Sequence, residues 1–287
     1  MSGPPSPAFA PLRAEAMFAV TGRIVAVTGG AGGIGLAYAE VLAANGAVVN
    51  LIDIDGAGLS AAVDGLRAHG AEAHGEVADV TDAGSLRRAF TAVVERHGRL
   101  DVVFANAGIS GGPGFLDGAG KRNPAGAIES LSAEVWTRVM ATNVGSLFHT
   151  FQIVVPYLKR QGGGRIVVTS SLSASKTETL VSSIYATSKA AVGYLVRQAA
   201  HELAAFGILV NAISPGPVIT NIGGGRLKDA QARKPFERAA PLGRIATTGD
   251  LQGAALFLAS PASSHMTGAQ ILVDGGAALG PADAALA

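Results

Sequence analysis

Apolar residues fall in short blocks along this chain, and the blocks alternate with longer segments whose apolar positions recur at helical spacing. Seven blocks have strand length: Arg23–Thr28, Val48–Asp53, Glu72–Val77, Leu100–Ala105, Arg165–Ser170, Ile208–Ile213 and Gln270–Val273. Several read as unbroken runs, such as IVAV, VVNLI and IVV. A strand with one wet face alternates with period two, so unbroken runs point to strands covered on both faces. The segments between them are Ala-rich and helical in period. Repeated strand–helix units with right-handed crossovers build a doubly wound, parallel sheet. The pattern therefore predicts an α/β fold with seven parallel strands in a single domain.

Two segments break the rhythm. Residues 109–130 (ISGGPGFLDGAGKRNPAGAIES) form a Gly/Pro-rich loop after the fourth strand, and residues 222–241 follow the sixth with three consecutive glycines and then helix-capable sequence. Long loops in compact domains usually carry function. Both lie at carboxyl ends of strands, where open α/β sheets bind ligands. The first 16 residues carry four prolines and no continuous apolar stretch. They are expected to be a disordered extension rather than a signal peptide or anchor, with the catalytic domain spanning 17–287.

Composition narrows the function. Net charge is +1 with 15% charged residues, and no basic run is longer than Lys121-Arg122, so no footprint for nucleic acid or anionic lipid stands out. No apolar run approaches the roughly 18 residues that cross a bilayer. The absence of Cys removes disulfides, thiolate catalysis and Cys-ligated metals, and suits a cytoplasmic location. The six histidines are scattered without ligand spacing, so no metal site is expected.

The first strand runs into Thr28-Gly-Gly-Ala-Gly-Gly-Ile-Gly35 and then a helix. Glycines in such a turn let backbone N–H groups approach a pyrophosphate at a helix N-terminus, where the dipole favours anions. Glycine is abundant here (39 residues), so the turn alone is weak. Its value comes from the strand before, the helix after and the acid at the end of the second strand, Asp53. A carboxylate there accepts from both adenosine ribose hydroxyls and repels a 2′-phosphate. No Lys or Arg lies in the glycine loop or just after Asp53. This predicts a Rossmann fold that takes NAD(H) rather than NADP(H).

Tyr185 and Lys189 lie one helical turn apart, after the fifth strand. A phenol near its free pKa of about 10 is a poor base at neutral pH, and a neighbouring ammonium is expected to lower it. Ser170 and Ser171 are adjacent, Ser173 is close, and strand alternation lets one of the first two face a site. Spacing alone leaves the choice among them open.

With these residues in view, the chain resembles the short-chain dehydrogenase/reductase family over about residues 20–277. Thr28–Gly35 resembles its cofactor loop, and Ala78-Asp79-Val80 its adenine-side element. Ala105-Asn106-Ala107-Gly108 resembles its N-N-A-G motif, departing at Ala105. Pro215-Gly216, with Val218 and Thr220, resembles the nicotinamide-side motif, and Val273–Gly276 the C-terminal one. Asn143, Ser171, Tyr185 and Lys189 match its catalytic tetrad.

The resemblance implies cofactor contacts at Gly29, Gly32, Gly33, Ile34, Gly35, Asp53, Ile54, Asp79, Val80, Asn106, Ala107, Gly108, Tyr185, Lys189, Pro215, Gly216, Val218 and Thr220. It also implies that Tyr185 exchanges a proton with a secondary alcohol or ketone while Ser171 binds its oxygen. Lys189 holds the ribose, and Asn143 holds a relay water. A homotetramer, or a dimer, is implied as well. An NADPH-dependent 3-oxoacyl-thioester reductase and a non-catalytic dinucleotide-binding regulator are the alternatives. The substrate walls are expected in residues 109–130, the stretch between Ser171 and Tyr185, and the loop at about 220–241.

Overall fold

Strand β1 (Ile24–Thr28) shows why the apolar blocks do not alternate. All five of its residues are buried. Ile24 and Ala26 face one hydrophobic cluster, while Val25 and Val27 face another on the opposite side of the sheet. The computed structural model describes residues 12–281. The remaining strands are β2 (Val48–Asp53), β3 (Ala73–Val77), β4 (Val102–Ala105), β5 (Gly164–Thr169), β6 (Ile208–Pro215) and β7 (Gln270–Val273). They pair in the order β3-β2-β1-β4-β5-β6-β7, and every pairing is parallel.

Helices cover both faces. On one side lie α4 (Ala83–His97), α6 (Ser146–Gln161) and α7 (Ser183–Leu203), which contribute Phe90, Val154 and Val196 to their cluster. On the other lie α2 (Gly33–Ala44), α3 (Gly56–Ala68) and α9 (Gln252–Ala259), which contribute Leu42, Leu59 and Leu258. The result is the expected three-layer Rossmann arrangement in one domain. Of the extension expected over 1–16, residues 1–11 lie outside those described, and α1 (Ala14–Met17) is a short helical turn. Among the described residues no helix is long and apolar enough to cross a membrane.

Boundaries moved where the strand context changes. The outer strand β3 is less buried than β1, with only Ala73 fully buried and Val77 66% exposed, and no strand among the described residues pairs with its far edge. β6 runs two residues past the expected end, to Pro215, because it pairs with β7 up to Pro215↔Val273. α5 (Ala133–Met140) continues into α6 through a π-helical turn, Ala141–Gly145. The chain after β6 forms a short 3-10 segment, Ile222–Lys228, and then α8 (Ala230–Ala239), capped by Asp229.

The interior gains most from its largest side chains. Phe104 on β4 is fully buried, with its ring 5.0 Å from that of Tyr38 on α2. We expect Phe104→Ala to lower the unfolding free energy by about 3–5 kcal/mol, through lost burial and a residual cavity. Urea unfolding followed by circular dichroism measures it, and a loss below about 1 kcal/mol would contradict this packing.

Candidate active site

After β1 the chain turns towards β2, and β4 lies on the other side, so a crevice opens at their carboxyl ends. Thr28, the last residue of β1, closes its floor. Its Oγ1 accepts from the N–H groups of Asn106 and Ala107 at 3.0 and 3.2 Å. Asn106 Nδ2 donates to the carbonyls of Thr28 and Gly29, both at 3.2 Å, and its Oδ1 accepts from Thr169 Oγ1 at 2.9 Å. One amide therefore ties together the ends of β1, β4 and β5.

The glycine turn folds tightly onto this knot. A β-carbon at Gly35 would stand 2.1 Å from the Gly29 carbonyl oxygen and 2.7 Å from Asn106 Nδ2. No side chain fits there. Gly29 has φ +66°, in the left-handed region that glycine reaches freely. α2 starts at Gly33, and its N-cap is Gly32, so no side chain caps its first turn. Those N–H groups stay available for an anion.

Asp53 ends β2 beside this loop. Its Oδ2 accepts from Ala31 N at 3.0 Å and its Oδ1 from Asp55 N at 3.0 Å. Each oxygen keeps a second lone pair. Ile54 is exposed, and Asp55 caps α3 by accepting from Gly58 N. Asp79 is turned into its own loop, accepting from Thr81 N and Oγ1, and Val80 packs against the core. Across the crevice, Gly216 N donates to Val273 O at 3.1 Å, and Val218 is buried and bridged to Ala246. Thr220 comes within 3.7 Å of where a β-carbon on Gly33 would stand, so this segment returns over the glycine turn.

Asn143 sits in the π-helical turn, a distortion that frequently accompanies function. Its Oδ1 accepts from Ile109 N at 2.8 Å, and its Nδ2 donates to Ile109 O at 3.1 Å and Ser188 Oγ at 3.0 Å. Gly108 leaves room for this approach: a β-carbon there would lie 3.2 Å from Asn143 Oδ1 and 3.6 Å from Lys189 Nζ.

Tyr185 and Lys189 project from α7 beside Thr169 and Ser171. Lys189 is buried and donates to the Thr169 carbonyl at 2.8 Å. Burial pushes its pKa down to about 8. The Tyr185 phenol moves the opposite way, up to about 12. Burial is the main cause; a hydrogen bond with Ser171 opposes it, and the Glu178 carboxylate reinforces it. The sequence reading had the lysine lowering this phenol. In the structure Lys189 Nζ lies 5.8 Å from the ring centre and is turned to Thr169, so burial wins.

Of the three candidate serines, Ser171 is the one whose hydroxyl draws the Tyr185 pKa down, while the Ser170 hydroxyl is buried without a partner. Ser171 also pairs with Ser173, and Ser173 with Glu178. The sequence reading singled out neither Thr169, Ser188 nor Glu178. No motif spacing marks them, and Thr169 and Ser188 meet Asn106 and Asn143 from distant parts of the chain.

The two expected loops approach each other and the stretch before α7. Pro113 bridges Val181 in the stretch before α7, and Pro235 of α8 approaches Gly118. Gly223, Gly224 and Gly225 all have positive φ, and Gly223 reaches towards Ser110.

Comparison with known proteins agrees with this geometry. A family model described as enoyl-(acyl carrier protein) reductase matches residues 29–278. Sorbose reductase from Schizosaccharomyces pombe is 34% identical, with 91% of this chain and 97% of that protein covered. The structure of an NADPH-dependent 3-quinuclidinone reductase from Rhodotorula rubra is 32% identical, with TM-score 0.79 and 97% of each chain covered. A 7α-hydroxysteroid dehydrogenase complexed with NADH and 7-oxo glycochenodeoxycholic acid is 30% identical, with TM-score 0.80, covering 92% of this chain and 97% of that one.

A buried ammonium costs stability while it is charged. The folded pKa of Lys189, about 8, lies below the ordinary lysine value of 10.5, so the unfolded chain binds more protons between the two. Wild-type stability should therefore rise as pH climbs from about 8 to about 10.5. We expect Lys189→Met to be more stable than wild type at pH 7, by at most about 3 kcal/mol, with the gap narrowing across that window. Urea unfolding of both proteins at several pH values tests the sign.

Proposed function

This chain belongs to the short-chain dehydrogenase/reductase family, and on that premise we propose that it transfers a hydride between NAD(H) and a secondary alcohol or ketone. The observation that carries the reading is the gathering of Asn143, Ser171, Tyr185 and Lys189 at the carboxyl ends of β4 and β5, beside the uncapped glycine turn. The family binds a nicotinamide dinucleotide, which when bound supplies or accepts the hydride.

Tyr185 is the general acid in reduction. A phenol held near pKa 12 is protonated at neutral pH and ready to give its proton to a carbonyl oxygen. Ser171 hydrogen-bonds the same oxygen and orients it. Lys189 holds the ribose from Nζ, which sits beside Gly108 and Thr169. In oxidation the proton passes the other way, from the alcohol to the Tyr185 phenolate. Asn143 has both amide atoms engaged by Ile109 and Ser188, which suits a brace for the turn. A relay water at this position would then be held by backbone rather than by the amide.

Asp53 supports NAD(H) over NADP(H). Its carboxylate is anchored to the glycine turn with lone pairs free for two ribose hydroxyls, and a 2′-phosphate would meet its negative charge. This weighs against the NADPH-dependent thioester reductase. The filled tetrad weighs against a non-catalytic regulator. Trp136, Phe148 and Tyr194 stand exposed on α5, α6 and α7, which fits burial between copies in a homotetramer or dimer. A cytoplasmic location is part of this proposal, supported by the cysteine-free sequence, which suits a reducing compartment.

Mixing the protein with NADH and a panel of ketones, while following reduced-nicotinamide absorbance, tests the reading. Tyr185→Phe should cut kcat by about 10²- to 10⁴-fold and leave NADH affinity unchanged in a fluorescence titration. Near-wild-type turnover would sink the assignment of Tyr185. Asp53→Ala should reduce the preference for NADH over NADPH by about 10-fold or more, as charge-assisted bonds to the ribose are lost. An unchanged ratio of kcat/KM values would remove the argument for NAD(H).

A further inference from the structure

Glu178 lies in the stretch between β5 and α7, half-buried, with one carboxylate oxygen bonded by Ser173 Oγ. The proposed proton transfer uses neither residue. Counting hydrogens along this contact gives it a direction. Ser173 Oγ owns one proton, and the bond to an ionised Glu178 takes it. The 3.2 Å contact between Ser171 Oγ and Ser173 Oγ must then run from Ser171 to Ser173. Ser171 Oγ already accepts from Ser173 N at 3.1 Å. While Glu178 is ionised, Ser171 therefore has no proton left for the cleft.

A carbonyl oxygen offers lone pairs alone, so it needs Ser171 as a donor. We propose that Glu178 is a positioning residue that acts through Ser173 to set whether Ser171 presents a lone pair or a proton to the substrate oxygen. When Glu178 is protonated, its O–H donates to Ser173, Ser173 donates to Ser171, and the Ser171 proton faces the cleft. When it is ionised, Ser171 must give up its bond to Ser173 before it can serve the carbonyl. The inference rests on the reading of Ser171 as the hydroxyl that binds the substrate oxygen.

The surroundings favour a carboxyl that titrates within reach of function. Burial raises its pKa above the ordinary carboxylate value, against the opposing pull of the Ser173 bond and of Lys176. Lys176 lies on the same stretch, with Nζ turned to the Ala277 carbonyl. On α7 the neighbouring titratable group is Tyr185, whose phenol feels the Glu178 charge. The loop packed against this stretch carries Asp117, Lys121 and Arg122; Asp117 accepts from its own backbone, and Arg122 lies over Phe115.

The pH dependence of kcat/KM for ketone reduction is the test, measured in wild type, Glu178→Gln and Ser173→Ala. Wild type should lose activity by a factor on the order of 3 to 10, the worth of one hydrogen bond, as Glu178 ionises. The same limb is expected in alcohol oxidation, because both directions share one transition state. Glu178→Gln can donate from its amide to Ser173 at every pH, so the limb should vanish and the rate stay at the low-pH level. Ser173→Ala should also remove the limb while Glu178 remains. A wild-type limb in Ser173→Ala would show that Glu178 acts on Tyr185 through space, and would overturn the proposal, as would an unchanged profile in Glu178→Gln. Tyr185→Phe with wild-type turnover would instead defeat the function reading beneath it. A wild type that turns over no ketone defeats both.

Discussion

Asn106 has a donor end and an acceptor end, and different strands hold them. Its Nδ2 is taken by the carbonyls of Thr28 and Gly29 after β1, and its Oδ1 by the Thr169 hydroxyl at the end of β5. Thr169 in turn offers its carbonyl to Lys189. A continuous polar thread thus runs from the glycine turn to the buried ammonium, across the edge of three strands. Because these groups are largely withdrawn from water, a displacement at one end of the thread leaves an unsatisfied group at the other. The cofactor-side turn and the proton-handling side chains share one frame, with Gly35 and Gly108 permitting the close approaches it needs.

That frame also sets the charge states. Burial acts on Lys189 and Tyr185 in opposite directions, weakening the base and the acid together. Both shifts disfavour charge, so the pocket rests with a neutral phenol and an ammonium of modest affinity for its proton. Glu178 is the third group in this set, displaced upward for the same reason. Three titratable side chains within one short stretch of chain are thereby moved away from their solution behaviour by a common cause, the exclusion of water.

The layers of the fold were legible because parallel strands buried on both faces leave apolar blocks, as IVAV does in β1. The outer strands were less legible: β3, at the sheet's edge among the described residues, is only partly covered and carries His74 and Glu76. At the site, the glycine turn, Asp53, and the Tyr185–Lys189 pair could be found from spacing, since each is local in the chain. The choice of Ser171 over Ser170 came from the family resemblance, because strand alternation alone leaves the two level. The direction of the phenol's shift could not be read at all. It depends on where Lys189 Nζ points and on Glu178, and both are settled by long-range packing. The π-helical turn that sets Asn143 carries no clear mark in the residues ATNVG.

The segments proposed as walls of the cleft lie outside both of the large hydrophobic clusters. Residues 109–130 and the segment from Thr220 to α8 contribute almost nothing to the layers that hold the sheet together. Their sequences can diverge with little consequence for folding, so substrate choice is free to drift while the scaffold persists. The two walls are not independent of each other, however. Pro235 sits against Gly118, and Arg238 donates to the Gly118 carbonyl. A change in one wall alters the seat of the other. Heritable variation in selectivity is therefore expected to arrive in linked pairs, and a transplanted wall will keep its shape when its mate is moved with it.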